Sequence, residues 1–304
     1  MIIDCNGTLI DERQAVVSVY DHGFLYGMGV FETFRTYGGQ AYLLDWHLER
    51  LLAGCAELGI RYTATRRDLE KRFSGLLEAN NLSDAYFRLT VTAGTEALGL
   101  PSGDYESPGD LIYIKPLPAY DPAVWPAPKA LQRLKLRRNT PEGPVRLKSL
   151  HYMNNILAKR EMMAYPWAAG AEGLFLDGEG SLCEGMVSNL FFVEDGRLYT
   201  PSVDTGLLPG ITRRKVLELA AGLGVETAEG RYSWERLVRV EEVFVTNSVQ
   251  EVVPVARLFD LNGEAYAVGS TGTGEAGELT RRLQHLYREE TNRLFRKKGG
   301  RGNE

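Results

Sequence analysis

Leu147-Lys148-Ser149-Leu150-His151-Tyr152-Met153-Asn154-Asn155 is the run on which the reading of this chain turns. Val145-Arg146-Leu147 ahead of it alternates as a strand does, and between Asn154 and Ala164 the residues Ile156, Leu157, Met163 and Ala164 return at helical spacing. Lys148 therefore stands where a strand ends and a helix begins, with apolar neighbours on both sides. Desolvation disfavours the ammonium form of such a lysine, and an amine that is neutral part of the time can condense with an aldehyde. One lysine at a strand end is ordinary surface chemistry, so partners elsewhere must give it meaning.

Upstream, Asn6-Gly7 reads as a hairpin turn between Met1–Asp4 and Thr8–Ile10, and Val30–Tyr37 as a strand turning at Gly38-Gly39 into Ala41–Leu44. Leu44–Leu58 and Arg66–Asn80 carry helical apolar spacing, and Tyr86–Thr92 and Leu111–Lys115 return to strand. Residues 1–115 thus read as an α+β domain. Pro116, Pro118, Pro122, Pro126 and Pro128 crowd residues 116–128, which read as a linker. A second α+β domain over 129–296 would hold strand Leu131–Arg137, the lysine strand, a meander through Gly173–Leu176, Ser181–Glu184, Asn189–Val193 and Leu198–Thr200, helix Thr212–Leu223, strand Val243–Val245 and helix Glu278–Leu294. Residues 297–304 read as a polar tail and Gly269–Gly277 as a flexible glycine-rich loop.

Composition narrows the function classes. A formal charge of −5 leaves no basic footprint for nucleic acid. Cys5, Cys55 and Cys183 are too few and too scattered for a disulfide framework, which fits a reducing cytoplasm. No window approaches the roughly 20 apolar residues of a spanning helix. His22, His47, His151 and His285 lack metal-ligand spacing, Gly27-Met28-Gly29 is not a dinucleotide fingerprint, and no Gly-x-Ser-x-Gly elbow is present.

Four other places supply chemistry that would suit the lysine. Leu208-Pro209-Gly210-Ile211-Thr212 leads into an amphipathic helix, whose free N–H groups and Thr212 hydroxyl make an anion site. Thr246-Asn247-Ser248 after a strand offers a second donor cluster. Arg50, one turn from His47, can reach a phosphate from the first domain. Glu184, between a strand and Gly185, can project a carboxylate, and a carboxylate beside a pyridine nitrogen keeps that nitrogen protonated. Amine, phosphate cradle and carboxylate together are what pyridoxal phosphate requires.

Taken in order, Asp21-His22-Gly23-Phe24-Leu25-Tyr26-Gly27-Met28-Gly29-Val30-Phe31-Glu32, His47-Leu48-Glu49-Arg50-Leu51, Lys148, Glu184-Gly185-Met186-Val187-Ser188-Asn189, Leu208-Pro209-Gly210-Ile211-Thr212-Arg213 and Thr246-Asn247-Ser248 resemble the fold-type IV pyridoxal-phosphate enzymes over nearly the whole chain. That family holds branched-chain aminotransferases, D-amino acid aminotransferases and aminodeoxychorismate lyases. The resemblance implies two α+β domains with pyridoxal 5'-phosphate between them, in a homodimer. It implies Lys148 as the Schiff-base lysine, Glu184 as the pyridine-nitrogen partner, and Arg50, Ile211, Thr212 and Ser248 as phosphate binders. His22 stands where an arginine is usual and Met28 where an aspartate is usual, both away from the matched cofactor contacts.

Within the family, residues Arg138 to Asn155 and Thr246-Asn247-Ser248-Val249-Gln250-Glu251 are most similar to the lyase branch. D-amino acid enzymes trap the substrate carboxylate with a tyrosine and an Arg-x-His pair; here Phe31 replaces the tyrosine, and Thr92-Ala93-Gly94-Thr95 lacks the pair. The resemblance implies release of pyruvate from aminodeoxychorismate, with an aminotransferase on branched-chain or D-amino acids and a noncatalytic ligand-binding protein as the alternatives. Phe31, Arg88, Arg138, Arg146 and Tyr152 are the candidates for contact with the small-molecule substrate.

Overall fold

Strand β3 (Gly29–Tyr37) organises the first sheet because its alternate residues belong to two different environments. It follows β1 (Ile2–Cys5), β2 (Thr8–Asp11) and the short helix α1 (His22–Tyr26), and precedes β4 (Gln40–Ala41), α2 (Leu44–Glu57), α3 (Arg66–Ala79), β5 (Ala85–Thr92) and β6 (Gly109–Pro116). The six strands run in the order β2-β1-β6-β5-β3-β4. Register sets Phe34, Phe87 and Ile114 in one row across β3, β5 and β6, and Glu32, Leu89 and Ile112 in the next. Apolar members of these rows pack on Leu51 and Cys55 of α2 and on Leu69, Phe73 and Leu76 of α3. Period-2 burial on the strands and helical spacing on α2 and α3 thus meet in one core.

Glu32 occupies that helix-facing row at 1% exposure. Its Oε1 accepts from Arg50 Nε at 2.7 Å, and its Oε2 accepts from Arg50 Nη2 at 2.7 Å and from His47 Nδ1 at 2.6 Å. Burial works to raise the Glu32 carboxyl, but the Arg50 charge and the hydrogen bonds from His47 and Arg50 outweigh it and hold the group at about 2. Burial also keeps the His47 imidazole below its usual range against the pull of Glu32. A neutral imidazole bonded to Glu32 through Nδ1 donates that proton. The cluster ties α2 to β3 through charge as well as packing.

The computed structural model describes residues 1–118, 121, 124–269 and 276–299. These form two compact units: one from the described residues of Met1–Asp121, Leu147–His151 and Glu290 onward, the other from those of Pro122–Arg146 and Tyr152–Glu289. Lys148, expected in the C-terminal domain, groups with the first unit instead. The expected strand Val145–Leu147 does not form, because Gly143-Pro144 precedes it and proline lacks the N–H a ladder needs. Attachment to β3 is local: Phe31 N–H donates to Lys148 O at 2.8 Å, Leu150 N–H to Gly29 O at 3.0 Å, and Val30 bridges Ser149.

The second unit contains β7 (Lys129–Arg133), α4 (Met153–Glu161), β8 (Glu172–Leu176), β9 (Leu182–Gly185), β10 (Asn189–Glu194), β11 (Arg197–Pro201), α5 (Ile211–Gly222), β12 (Thr227–Gly230), α6 (Trp234–Leu237), β13 (Glu242–Asn247), β14 (Glu251–Phe259) and β15 (Ala265–Ala267), and α7 (Glu278–Gly299) begins in it. Strands β10, β13, β14, β7, β8 and β9 pair in turn, and β9 pairs back to β10 at Glu184 and Asn189, so the circuit closes. Leu131, Leu174, Leu190, Phe192, Val243, Val245 and Val253 share one core cluster. The alternate residues Phe191, Val193, Phe244 and Val252 pack with Val216 and Ala220 of α5 and Leu279 and Leu283 of α7. Closure removes the exposed edges that an open sheet would leave.

Several elements differ from expectation. Strand β14 went unread because Pro254 breaks its pattern; the proline stands just before β7 joins at Val255, an end position where a missing donor is tolerated. Helix α4 gives way at Met162–Ala164 to a tighter 3-10 turn. Pro116 belongs to β6 rather than to a linker, and the first unit extends to Asp121. Helix α7 continues to Gly299, past the expected start of the tail. Residues 119–120 and 122–123 of the linker, 270–275 of the glycine-rich loop and 300–304 of the tail lie outside the described residues.

Because the folded carboxyl of Glu32 titrates below an unfolded one, its contribution to stability is fully present above about pH 4.5 and is lost as pH falls toward about 2. A depression of that size corresponds to about 2–4 kcal/mol. Glu32→Gln should therefore lower stability at pH 7 and flatten the acid limb of the stability curve. Urea unfolding across pH 2.5 to 7 measures both, and a variant with an unchanged acid limb would contradict the assignment.

Candidate active site

In the first unit the face of β3 opposite the helices carries the lysine. Phe31, 2% exposed, lies beneath two cations: the Lys148 ammonium is 4.7 Å and the Arg88 guanidinium carbon 3.6 Å from its ring centroid. A ring face attracts cations through its quadrupole, so Phe31 can fix the direction of both side chains. Register explains the grouping, since Phe31 opposes Thr90, and Thr33 opposes Arg88. Arg88 Nε also donates to Thr90 Oγ1 at 3.2 Å. Lys148 is half-buried rather than enclosed by apolar groups, which corrects the drier setting expected for it.

Arg50 is held from behind by Glu32, which fixes its Nε and Nη2 atoms. His22 is fully buried: its Nε2 lies 2.9 Å from the Ala97 carbonyl and must donate, which leaves Nδ1 to accept from the Tyr105 hydroxyl at 3.0 Å. Met28 packs against the core of α2 and α3. These two departures from the family pattern are therefore structural.

In the second unit Glu184, 5% exposed, is the next-to-last residue of β9. Its Oε1 accepts from Arg138 Nε at 2.8 Å and its Oε2 from the Leu208 N–H at 3.0 Å. The facing Asn189 donates Nδ2 to the Leu208 carbonyl at 2.8 Å. One residue of the Leu208-Pro209-Gly210 loop is thus gripped from both strands. A Cβ at Gly210 would fall 2.0 Å from Asn189 Oδ1, so only glycine allows this approach.

Gly210 is the N-cap of α5 and supplies no side-chain cap, which leaves the first N–H groups of the helix for an anion. Thr212 Oγ1 and Ser248 Oγ lie 3.3 Å apart at this end, and Ile211 is the first helical residue. Thr246, on the same side of β13 as Phe244, is 1% exposed, and its hydroxyl finds no partner among the described residues. Uncapped N–H groups and two neighbouring hydroxyls form a donor set with no acidic side chain among them, as a phosphate requires.

The three arginines considered for substrate separate. Arg138 is committed to Glu184 and to the side-chain carbonyls of Asn139, Asn154 and Asn155, so its expected place on a substrate carboxylate is corrected. Arg146 donates to the backbone carbonyls of Gly206 and Asn139, and burial together with the nearby Arg138 charge pushes its guanidinium down. Arg88, alone of the three, has neither a carboxylate nor a carbonyl as a side-chain partner among the described residues. Tyr152 caps the N-terminus of α4 by position, half-buried. Sequence reasoning missed the Glu32 clamp and the asparagine pair behind Arg138; an acid at period 2 between Val30 and Phe34 was the available signal for the first.

A family model described as amino-transferase class IV matches residues 29–258. The chain is 42% identical to the aminodeoxychorismate lyase of Bacillus subtilis (strain 168), over 99% of this chain and 98% of that one. Among solved structures, the 4-amino-4-deoxychorismate lyase of Pseudomonas aeruginosa superposes with a TM-score of 0.80 at 31% identity, covering 95% of this chain and 99% of that one. The branched-chain aminotransferase of the archaeon Thermoproteus uzoniensis, with norvaline, also gives 0.80, at 27% identity over 96% of this chain and 94% of that one. With lysine, acid and anion cradle in place and the match running through the sheets of both units, the chain belongs to the class IV aminotransferase family.

Proposed function

We propose that this protein is a pyridoxal-phosphate-dependent 4-amino-4-deoxychorismate lyase, releasing pyruvate and 4-aminobenzoate for folate synthesis. The observation that carries this reading is the likeness, over 99% of the chain, to the Bacillus subtilis lyase. The donor set at the start of α5 suits the phosphate, Glu184 suits the ring nitrogen, and Lys148 suits the aldehyde. When bound, pyridoxal 5'-phosphate supplies that aldehyde and an electron sink for the carbanion.

The residues do the rest. Arg50, Ile211, Thr212 and Ser248 hold the phosphate, with Arg50 aimed by Glu32. The Lys148 amine would hold the cofactor and, with that amine free, would be the base that takes the proton from the substrate carbon that bears nitrogen. Loss of enolpyruvate breaks the ether bond and makes the ring aromatic, and a proton returned by Lys148, or by a water it positions, turns enolpyruvate into pyruvate. Arg88 holds a substrate carboxylate beside Lys148, a placement supported by their shared contact with Phe31. No 2-oxo acid acceptor is consumed.

A homodimer belongs to the same reading. Val16, Val19, Phe24, Leu98 and Leu100 are 66–94% exposed in the first unit, an apolar group that a second copy would cover. Concentration-dependent light scattering should report a dimer, and an active monomer at assay concentration would contradict it.

Purified protein given aminodeoxychorismate and cofactor should form 4-aminobenzoate and pyruvate in equal amounts without a 2-oxo acid. Amino transfer from D-alanine or L-leucine to 2-oxoglutarate, with no pyruvate released from aminodeoxychorismate, would instead make it an aminotransferase. Borohydride reduction and peptide mapping should place the pyridoxyl group on Lys148, and a label on another lysine would overturn its role. Arg88→Met should raise KM for aminodeoxychorismate by roughly 10- to 100-fold, the loss of a hydrogen bond to a charged group. An unchanged KM would remove Arg88 from the substrate site.

A further inference from the structure

Behind Glu184 the second unit contains a polar chain that the reaction as described does not use. Arg138 Nη1 donates to Asn154 Oδ1 at 2.8 Å and to Asn155 Oδ1 at 3.2 Å, while its Nε binds Glu184. Asn154 Nδ2 donates in turn to Arg137 O at 3.1 Å, and Asn155 Nδ2 to Met186 O at 2.7 Å. Each amide nitrogen has a carbonyl acceptor, so each amide oxygen is obliged to face the guanidinium. Arg138 and Glu184 side chains are each 7% exposed, so water neither screens the pair nor replaces it.

We propose that Arg138 is a positioning residue for Glu184: clamped by Asn154 and Asn155, it fixes the place and direction of the Glu184 carboxylate, and so sets how well that carboxylate meets the cofactor's ring nitrogen. This rests on the role given to Glu184 above. Packing alone does not account for the arrangement, since replacing a whole buried ion pair with apolar side chains of similar volume is commonly as stable or more so. Without the guanidinium, the carboxylate would keep only the Leu208 N–H, and one donor fixes one oxygen while leaving the other free to turn. The second cation nearby, Arg146, is turned onto the Gly206 and Asn139 carbonyls, which leaves Arg138 as the side-chain cation bonded to Glu184. Asn155 also links Arg138 to Met186, two residues beyond Glu184, so the clamp holds both the charge and the turn that carries it.

The test uses holoenzyme in the wild-type, Glu184→Gln, Arg138→Met, Arg138→Lys and Asn155→Ala forms. Two quantities are read: the pH titration of the bound cofactor's visible absorption band, and kcat and KM separately. Both are repeated with a cofactor analogue carrying carbon in place of the ring nitrogen. Arg138→Met should move the titration midpoint in the same direction as Glu184→Gln and lower kcat about 10- to 100-fold, the usual loss for an outer hydrogen-bond partner, with KM within about twofold. Arg138→Lys should recover part of both. On the analogue, Arg138→Met and wild type should turn over at the same reduced rate, because no ring nitrogen remains to respond. If Glu184→Gln shifts the titration and Arg138→Met does not, the proposal is overturned and the Glu184 role stands. If Glu184→Gln itself shifts nothing, the Glu184 role falls and the proposal with it. Should Arg138→Met not fold, the outcome passes to Arg138→Lys and Asn155→Ala, and an unshifted titration in both overturns the proposal.

Discussion

Two backbone hydrogen bonds, Phe31 N–H to Lys148 O and Leu150 N–H to Gly29 O, place the lysine on the first sheet. Each contributes only about 1 kcal/mol net, yet they convert an irregular segment into part of the pleat of β3. The ammonium then shares Phe31 with Arg88 because the pleat puts residues 31, 33 and 88 on one side and Glu32 on the other. A tight fit enforces this attachment: a Cβ at Gly29 would lie 2.5 Å from the Val91 carbonyl and 2.8 Å from Leu150. Misplacement by about 1 Å can cost on the order of a hundredfold in rate, so the segment's position bears on chemistry as well as on folding.

Both units solve one electrostatic problem in the same way. Each buries a carboxylate, Glu32 in one and Glu184 in the other, and each gives it an arginine with a polar partner beside it. Leaving a buried carboxylate without a partner would cost several kcal/mol, whereas the paired one is fixed in direction. The two pairs point the charge to different uses. Glu32 aims the Arg50 cation, and Arg138 holds the Glu184 carboxylate in direction.

Much of this was legible because backbone pattern and site chemistry coincide in the same residues. Helix α2, helix α3, strand β3 and the meander announce themselves by period, and the Leu208–Thr212 run announces an anion site by glycine, proline and hydroxyl at a helix start. Closure of the strand circuit was not legible, since the β9–β10 pairing and the parallel pairing of β7 with β8 and β14 depend on contacts that no local pattern encodes. Nor was the unit to which Lys148 belongs: five residues leave one unit and return, and no local propensity marks such an excursion. Arg138 was a candidate for the substrate for the same reason. Its ties to Glu184, Asn154 and Asn155 span 46, 16 and 17 positions, beyond any local rule.

Fold alone does not choose the reaction, because a lyase and an aminotransferase superpose on this chain equally well, each at a TM-score of 0.80. In the roles proposed for them, Glu184, the cradle at α5 and Lys148 would serve any carbanion chemistry on this cofactor. On the reading proposed here, discrimination would arise where the substrate's own groups meet the sheet face that holds Phe31, Thr33 and Arg88. A phenyl ring there offers no hydrogen bond to a small amino acid, and the cation stacked on it favours an anionic substrate with a carboxylate away from the reacting carbon. Aminodeoxychorismate has two carboxylates and a leaving group that departs once the proton is gone. An amino acid bound at the same face would lack the second handle, and its slower orientation rather than any missing catalytic group would limit transfer.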